Sequence, residues 1–340
     1  MHSYIMCTGD FLTDIPKNVI FNKGRTGCGG TTVALTNDEN YVICVPFVNP
    51  IKGKVKASQG GKELYKHEVL GIHAEISEDE VLDYLSQNEG KPLKIMTTYE
   101  SLSKIIAKEW IELDKFNLLI DEYHCLIREY LFRNKGVKNV LTYFKDFASY
   151  TFMSATPVFE EDYVLEELKD IPIVTAVWDK NETYDVTLNY CRDGFSTSIV
   201  NLINQYLDGK IAGNLYLFVN SLQIMKKLVY HPDIDGRLTA ENTKLIASTN
   251  SIRELPFDGG SLNDGIYKKI NMLTSTAFEA VDIDDEIGRA AIVADSRLEY
   301  TLFDTTTTLV QVLGRLRKSS FKNEIDIYVK SKSRHTDLSY

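Results

Sequence analysis

Apolar positions along the chain gather into short continuous runs, separated by longer stretches in which apolar and polar residues mix. In the first half the runs fall at 19–21, 41–45, 69–72, 93–96, 116–120 and 150–153; in the second half they fall at 185–190, 215–219, 244–247, 270–273, 291–294 and 325–329. Runs of this length, rich in β-branched and aromatic residues, predict strands buried on both faces. The stretches 77–87, 101–110 and 137–147 carry helical spacing, and Ser77-Glu78-Asp79-Glu80 reads as a capping box at a helix start. Strands alternating with helices predict a mostly parallel sheet covered by helices. The rhythm occurs twice, with a charged segment carrying Pro172 at 160–183 between the two sets. The prediction is therefore an α/β chain of two domains, residues 1–170 and 171–340, and 340 residues are enough for two cores.

Composition narrows the class without changing this outline. Hydrophobic residues make up 44% and charged residues 25%, ordinary for a globular protein. No apolar run approaches the roughly 18 residues that cross a bilayer, so no membrane partner is expected. The first residues lack the pattern of a secretory signal, and Cys7, Cys28, Cys44, Cys125 and Cys191 form no C-x-x-C pair. A reducing, cytoplasmic setting without structural zinc is the expectation. With a net charge of −10, a nucleic-acid partner would be met by local basic patches and not by the field of the whole chain. Lys52, Lys54, Lys56, Lys62 and Lys66, in what reads as a loop after the second strand, and Lys330, Lys332 and Arg334 near the end are such patches; each reads equally well as solvated surface.

The chemistry centres on Asn22-Lys23-Gly24-Arg25-Thr26-Gly27-Cys28-Gly29-Gly30-Thr31-Thr32, which lies between a strand and the helix-compatible run 33–35. Strand, glycine-rich turn and helix N-terminus is the context that holds a phosphate on backbone N–H groups. Against G-x-x-x-x-G-K-[ST], Gly24, Gly29 and Thr31 match, while Gly30 stands where lysine belongs. Lys23 and Arg25 are the two nearby cations able to substitute, although Lys23 also reads as an exposed strand end. Farther on, an apolar run ends in Asp121-Glu122-Tyr123-His124, which delivers two carboxylates to the ligand edge of a parallel sheet. There the first could hold a metal and the second could activate water, whereas alone the pair also suits a solvated helix start. A later run ends in Ser154-Ala155-Thr156.

The order of glycine loop, Asp-Glu-x-His and Ser-Ala-Thr resembles the superfamily 2 helicases of the DExH-box group, and the resemblance continues into the second half. Leu215–Val219 with Asn220-Ser221 looks like the family's fourth motif. Leu273 through Asp282 looks like its fifth, with Ala280 in place of glycine, and Gln311-Val312-Leu313-Gly314-Arg315-Leu316-Arg317-Lys318 looks like its sixth. Together the matches span residues 18 to 318. The loop is similar to those of some bacteriophage and mobile-element helicase-like proteins, which would place the chain in a host cytoplasm. What the resemblance implies is two tandem RecA-like domains with ATP and Mg2+ between them. Lys23, Gly24, Arg25, Thr26, Gly27, Cys28, Gly29, Gly30, Thr31, Thr32 and Asp282 would then contact nucleotide, and Thr31 and Asp121 would hold the metal. Glu122 would be the base, while Gln311, Arg315 and one of Arg317 or Lys318 would neutralise the transferring phosphoryl group. His124, Ser154 and Thr156 would couple nucleotide state to closure, although His124 also reads as a hydrogen-bonded core residue. Pro46, Thr97, Thr98, Asn220, Ser221 and Thr274 would contact DNA or RNA, most directly a single strand, in a protein that could serve a larger replication or processing complex. Two other readings remain: a pseudo-helicase that binds without turnover, suggested by Gly30, and a small-molecule P-loop kinase, which leaves the second-half motifs unexplained.

Overall fold

The computed structural model describes residues 2–59, 66–74, 76–129, 134–156, 165–180, 183–191, 194–247, 255–257, 259–260, 264–274, 282–298, 301–303 and 308–330. The chain divides into two compact units, 1–181 and 182–340. In the first, the strands are β1 (His2–Cys7), β2 (Val19–Asn22), β3 (Tyr41–Val45), β4 (Val69–Ile72), β5 (Lys94–Thr98), β6 (Asn117–Asp121), β7 (Ser149–Ser154) and β8 (Ile173–Trp178). They form one sheet in the order β1-β8-β2-β7-β6-β3-β5-β4, with every pairing parallel. Its helices are α1 (Gly30–Thr36), α2 (Val48–Gln59), α3 (Glu78–Gln87), α4 (Leu102–Ala107), α5 (His124–Glu129) and α6 (Asn134–Tyr143).

Side chains alternate between two cores, which explains why these strands read as continuous apolar runs. Val42, Cys44, Leu118, Ile120 and Phe152 enter one core, and Tyr41, Ile43, Val45, Leu119 and Met153 enter the other. Because all the strands run the same way, Asn22, Val45, Thr98, Asp121 and Ser154 end β2, β3, β5, β6 and β7 at one edge of the sheet. That edge is where ligands of open α/β sheets sit.

The second unit carries β9 (Asp185–Cys191), β10 (Asn214–Val219), β11 (Thr243–Ile246), β12 (Ile270–Leu273), β13 (Gly288–Asp295) and β14 (Glu324–Lys330). Their order is β11-β12-β10-β13-β14-β9, again parallel throughout. Helices α7 (Phe195–Leu207), α8 (Leu222–Val229) and α9 (Thr308–Leu313) accompany it. Among the described residues no helix is long and apolar enough to cross a membrane.

Three features depart from the sequence reading. The runs 2–7 and 173–178 are strands as well, and β8 pairs with both β1 and β2. That pairing carries the end of the first unit past residue 170, to residue 181. Lys52, Lys54 and Lys56 do not lie in a loop: they sit on α2, whose apolar positions Val48, Ile51 and Val55 recur at helical spacing. Ile51 packs so closely on β4 that a Cβ at Gly71 would come within 2.7 Å of its Cγ2. Pro50 falls in the first turn of α2, where its missing N–H costs nothing. Lys62, Lys332 and Arg334 lie outside the described residues.

Candidate functional site

The glycine-rich stretch leaves β2 at Asn22 and enters α1 at Gly30. Asn22 folds it back, its Oδ1 accepting from the Gly24 N–H at 2.9 Å. Gly24 has φ +73°, and a Cβ there would lie 3.2 Å from the Ala176 carbonyl oxygen and 3.3 Å from Trp178 Nε1, so only glycine fits without displacement. Gly29 caps α1 in the left-handed region, leaving the N–H groups of Gly30, Thr31 and Thr32 in the first helical turn. Gly27 also has positive φ, and Thr26 is buried. Cys28 donates its thiol to the Arg25 carbonyl at 3.3 Å, and its own carbonyl accepts from the Leu12 N–H at 2.8 Å. Burial, partly offset by Lys23, raises the Cys28 thiol pKa and keeps it protonated at neutral pH.

Of the two candidate cations, the fold selects one. Arg25 turns onto the end of β8, its guanidinium 3.6 Å above the Trp178 ring and donating to the Gly9 carbonyl at 2.6 Å. Lys23 is only 6% exposed, which excludes a solvated strand end. Its ammonium lies 3.2 Å from Asp121 Oδ1 and 3.2 Å from Glu122 Oε1. Its backbone is fixed on both sides: the N–H donates to the Ser154 carbonyl at 2.9 Å, and the carbonyl accepts from Trp178 Nε1 at 2.8 Å. Burial opposes the charge on Lys23, but Asp121 and Glu122 outweigh it and raise the pKa above the ordinary lysine value.

Thr31 closes the cluster, its hydroxyl donating to the other Asp121 oxygen at 2.5 Å. Gly30 faces β7, where a Cβ would come within 2.5 Å of Met153 Sδ. A side chain at the usual lysine position would have to displace that thioether. Thr32 is half-buried on α1, its carbonyl accepting from the Thr36 hydroxyl at 2.8 Å.

Beside the acids, His124 Nδ1 is 2.8 Å from Ser154 Oγ and 3.4 Å from Glu122 Oε2. Ser154 Oγ also accepts from the Thr156 N–H at 3.0 Å and lies 3.4 Å from Glu122 Oε2. Glu122, His124, Ser154 and Thr156 are thus one connected polar network at the ends of β6 and β7. Pro46 is buried just past β3. Thr97 is fully buried with its hydroxyl on the Thr98 carbonyl at 3.3 Å, and Thr98 Oγ1 accepts from the Ser101 N–H at 3.2 Å, at the start of α4.

In the second unit, Gln311 on α9 is buried and gathers Arg315. Arg315 Nε donates to the Gln311 carbonyl at 2.8 Å, and an Nη donates to its Oε1 at 2.7 Å. Asp282 pairs with Arg317 at 2.8 Å and stands 3.8 Å from Arg315, so it belongs to an arginine cluster of its own unit. Ile283 and Leu316 form a parallel bridge that holds this arrangement. Lys318 pairs with Asp284 at 2.9 Å, which raises the lysine pKa. Ser221 caps α8, its Oγ accepting from the Ile224 N–H at 3.3 Å, and Asn220 precedes it. The Thr274 N–H donates to the Ile246 carbonyl at 3.0 Å. The rest of the fifth motif, residues 275–281, lies outside the described residues.

Sequence reasoning missed three side chains that shape the site: Trp178, Met153 and Tyr99. Trp178 was hidden because β8 was not read as a strand. Tyr99 directly follows Thr97 and Thr98, which were read for polymer contact, and was given no role.

No protein-family model and no curated protein matches the chain. Solved structures do. S. cerevisiae Dbp5 bound to RNA and ADP BeF3 superposes with a TM-score of 0.60 at 13% identity, covering 94% of this chain and 80% of that one. Mycobacterium smegmatis helicase Lhr bound to ssDNA and AMP-PNP gives 0.59 at 14% identity, covering 92% of this chain and 44% of that one. Mss116p bound to ssRNA and AMP-PNP gives 0.60 at 10% identity, covering 94% and 67%. At such identities the likeness is one of architecture, and the chain has the α/β fold of two tandem RecA-like domains found in these proteins.

Proposed function

We propose that the chain is a nucleic-acid-dependent ATP hydrolase of helicase or translocase type. The observation that carries the reading is the convergence of a buried ammonium, two carboxylates and a hydroxyl at the end of the glycine loop: Lys23, Asp121, Glu122 and Thr31. Gly30 removes the usual lysine, and Lys23 brings an equivalent charge to the acid pair from the other side of the loop.

The donor set suits magnesium. Thr31 Oγ1 and Asp121 Oδ2 are hard oxygen ligands 2.5 Å apart, and Mg2+ is ordinarily held by one or two such groups together with substrate phosphates. Thr31 and Asp121 would hold the ion, which when bound neutralises charge on the phosphates. The remaining work falls to the chain. The N–H groups at the start of α1 cradle phosphate oxygens, and Lys23 supplies a cation beside them. Glu122 orients the attacking water and accepts its proton. His124, Ser154 and Thr156 tie the Glu122 carboxylate to the end of β7, so a shift there reaches the base. Arg315 and one of Arg317 or Lys318 would supply positive charge to the transferring phosphoryl group, and Gln311, which accepts from Arg315 through its carbonyl and Oε1, would hold that arginine in place. The polymer is DNA or RNA, met at the strand ends that carry Pro46, Thr98, Asn220, Ser221 and Thr274; Thr97, fully buried with its hydroxyl on the Thr98 carbonyl, would support the end of β5 from within. The nucleic acid bound in the Dbp5, Lhr and Mss116p structures supports that partner. A place in a larger replication or processing complex, in a host cytoplasm, completes the proposal.

The test is nucleotide hydrolysis with Mg2+, with and without single-stranded DNA and RNA, for wild type and Glu122→Gln. Polymer-stimulated turnover that disappears in Glu122→Gln, with nucleotide still bound, is the expected result. Binding without turnover under every condition would make the chain a scaffold of pseudo-helicase type, the outcome that Gly30 alone would suggest.

A further inference from the structure

Glu122 is one of three described non-glycine residues with positive φ, at +54°, alongside Asn18 and Glu109. A left-handed glutamate costs free energy and persists only where its surroundings hold it there. Part of that hold is side-chain to main-chain: Asp121 Oδ1 accepts from the Glu122 N–H at 3.0 Å. The rest comes from Tyr99, which is 3% exposed, with its ring in the core beneath the acid pair. Its hydroxyl donates to the Asp121 carbonyl at 2.6 Å and lies 3.1 Å from the Glu122 carbonyl, so one O–H serves the two carbonyls that flank the left-handed turn. Burial, reinforced by Cys125, Asp121 and Glu122, holds the Tyr99 pKa well above the ordinary range, and the hydroxyl stays a donor at neutral pH.

Tyr99 also reaches the other way. Its backbone N–H donates to the Val45 carbonyl at 3.2 Å, at the end of β3 immediately before Pro46, and it follows Thr97 and Thr98 at the end of β5. A single residue therefore joins the strand ends read as polymer contacts to the peptide that aims the Glu122 carboxylate at Lys23 and Ser154.

We infer that Tyr99 is a positioning residue: its hydroxyl fixes the left-handed turn at Glu122 and couples polymer contact at the ends of β3 and β5 to the alignment of that carboxylate. The inference rests on the ATP hydrolase reading. Nothing in it requires Tyr99 to touch nucleotide or polymer.

The experiment uses the full chain and Tyr99→Phe, which keeps the ring in the core and removes only the hydroxyl. Steady-state hydrolysis is measured with single-stranded RNA and DNA homopolymers, together with polymer affinity by fluorescence anisotropy. Displacing a reacting group by about 1 Å costs up to about 10²-fold, so a fall in polymer-stimulated kcat of about tenfold is expected. The KM for ATP and the polymer Kd should stay within about twofold. A merely structural role would move KM and Kd together with kcat, and an unchanged kcat would also overturn the inference. Hydrogen exchange separates this from failure of the parent reading. If wild type shows no turnover, the hydrolase reading falls, and Tyr99 is judged by the amides of Tyr123, Cys125 and Leu126. Those amides donate to the Met153, Glu122 and Tyr123 carbonyls. Faster exchange there in Tyr99→Phe, with α1 unchanged, upholds the positioning role; identical exchange overturns it.

Discussion

Two buried lysines stand at opposite ends of α1, and their surroundings set them apart. At the N-terminal loop, Lys23 faces the Asp121 and Glu122 carboxylates, and its charge is favoured despite burial. At the far end, Lys94 is fully buried and donates to the Ala34 carbonyl at 2.8 Å, Asn37 Oδ1 at 2.7 Å and the Glu39 carbonyl at 2.5 Å. All three ammonium donors of Lys94 are satisfied and the helix C-terminus welcomes a cation, yet its partners are neutral dipoles. Burial therefore dominates, and despite Glu39 and Asp38 in the neighbourhood the Lys94 pKa is pushed down to about 8. Burial alone does not decide whether a lysine is a working charge; the formal charge of its partners does. Lys94 anchors the carbonyl end of the helix that follows the glycine loop, and Lys23 serves the acids.

The contrast can be broken most severely at Lys23. Removing one preorganised charge from such a site typically costs about 10²–10³ in rate, so Lys23→Ala should lower polymer-stimulated hydrolysis by that factor, read from steady-state kcat. A fall of less than about tenfold would mean that the charge is supplied elsewhere, and the distinction between the two lysines would fail with it.

The next effect is on stability. Unfolded, Lys94 keeps its proton up to its ordinary value of 10.5; folded, it loses the proton near 8. Between those values the unfolded chain binds more protons, so this residue's contribution to stability rises with pH and its charging cost is greatest below 8. Across that window the difference between wild type and Lys94→Met should grow in favour of wild type by about 3 kcal/mol, at 1.36 kcal/mol per pKa unit. Urea unfolding of both proteins at several pH values checks the slope, and a flat difference would show that Lys94 stays charged.

The smallest effect concerns the position Lys23 replaces. Gly30→Ala brings a Cβ against Met153 Sδ and should cost about 1–2 kcal/mol by overpacking, less if the thioether swings aside. Unfolding midpoints in urea measure it. Transplanting the cation sharpens the comparison: in a Lys23→Ala background, Gly30→Lys should restore hydrolysis better when Met153→Ala is added than without it.

Much of this site was legible in the chain. Apolar runs ending in Asp121-Glu122 and Ser154 placed acids and hydroxyls at strand ends, because fully buried parallel strands are the clearest pattern a sequence carries. Lys23 was recognisable as a candidate substitute from its position before Gly24. The less legible elements are those with half their surface outside a core. β1 exposes His2, Tyr4 and Met6 and half-buries Ile5, so its run has no strong period. The α2 helix buries only Ile51 fully among lysines and glycine, and its composition reads as a loop. Tyr99 carries a signal no different from that of any core aromatic, since its role lies in where its hydroxyl ends.

By itself the sequence determined the alternation of strands and helices, the doubling of that pattern, and the order in which glycine loop, acid pair and arginine segment occur. These follow from local apolar spacing, which sets which backbone stretches can be buried. The tertiary structure decided which cation serves the acids. Arg25 and Lys23 are two residues apart in the same loop, and Trp178, 155 residues beyond Lys23, takes the guanidinium on its ring and the Lys23 carbonyl on its indole N–H. The lysine is then directed onto Asp121 and Glu122, themselves 98 and 99 residues away. Charge pairing depends on distance in space, and only the parallel sheet brings those distances to 3.2 Å.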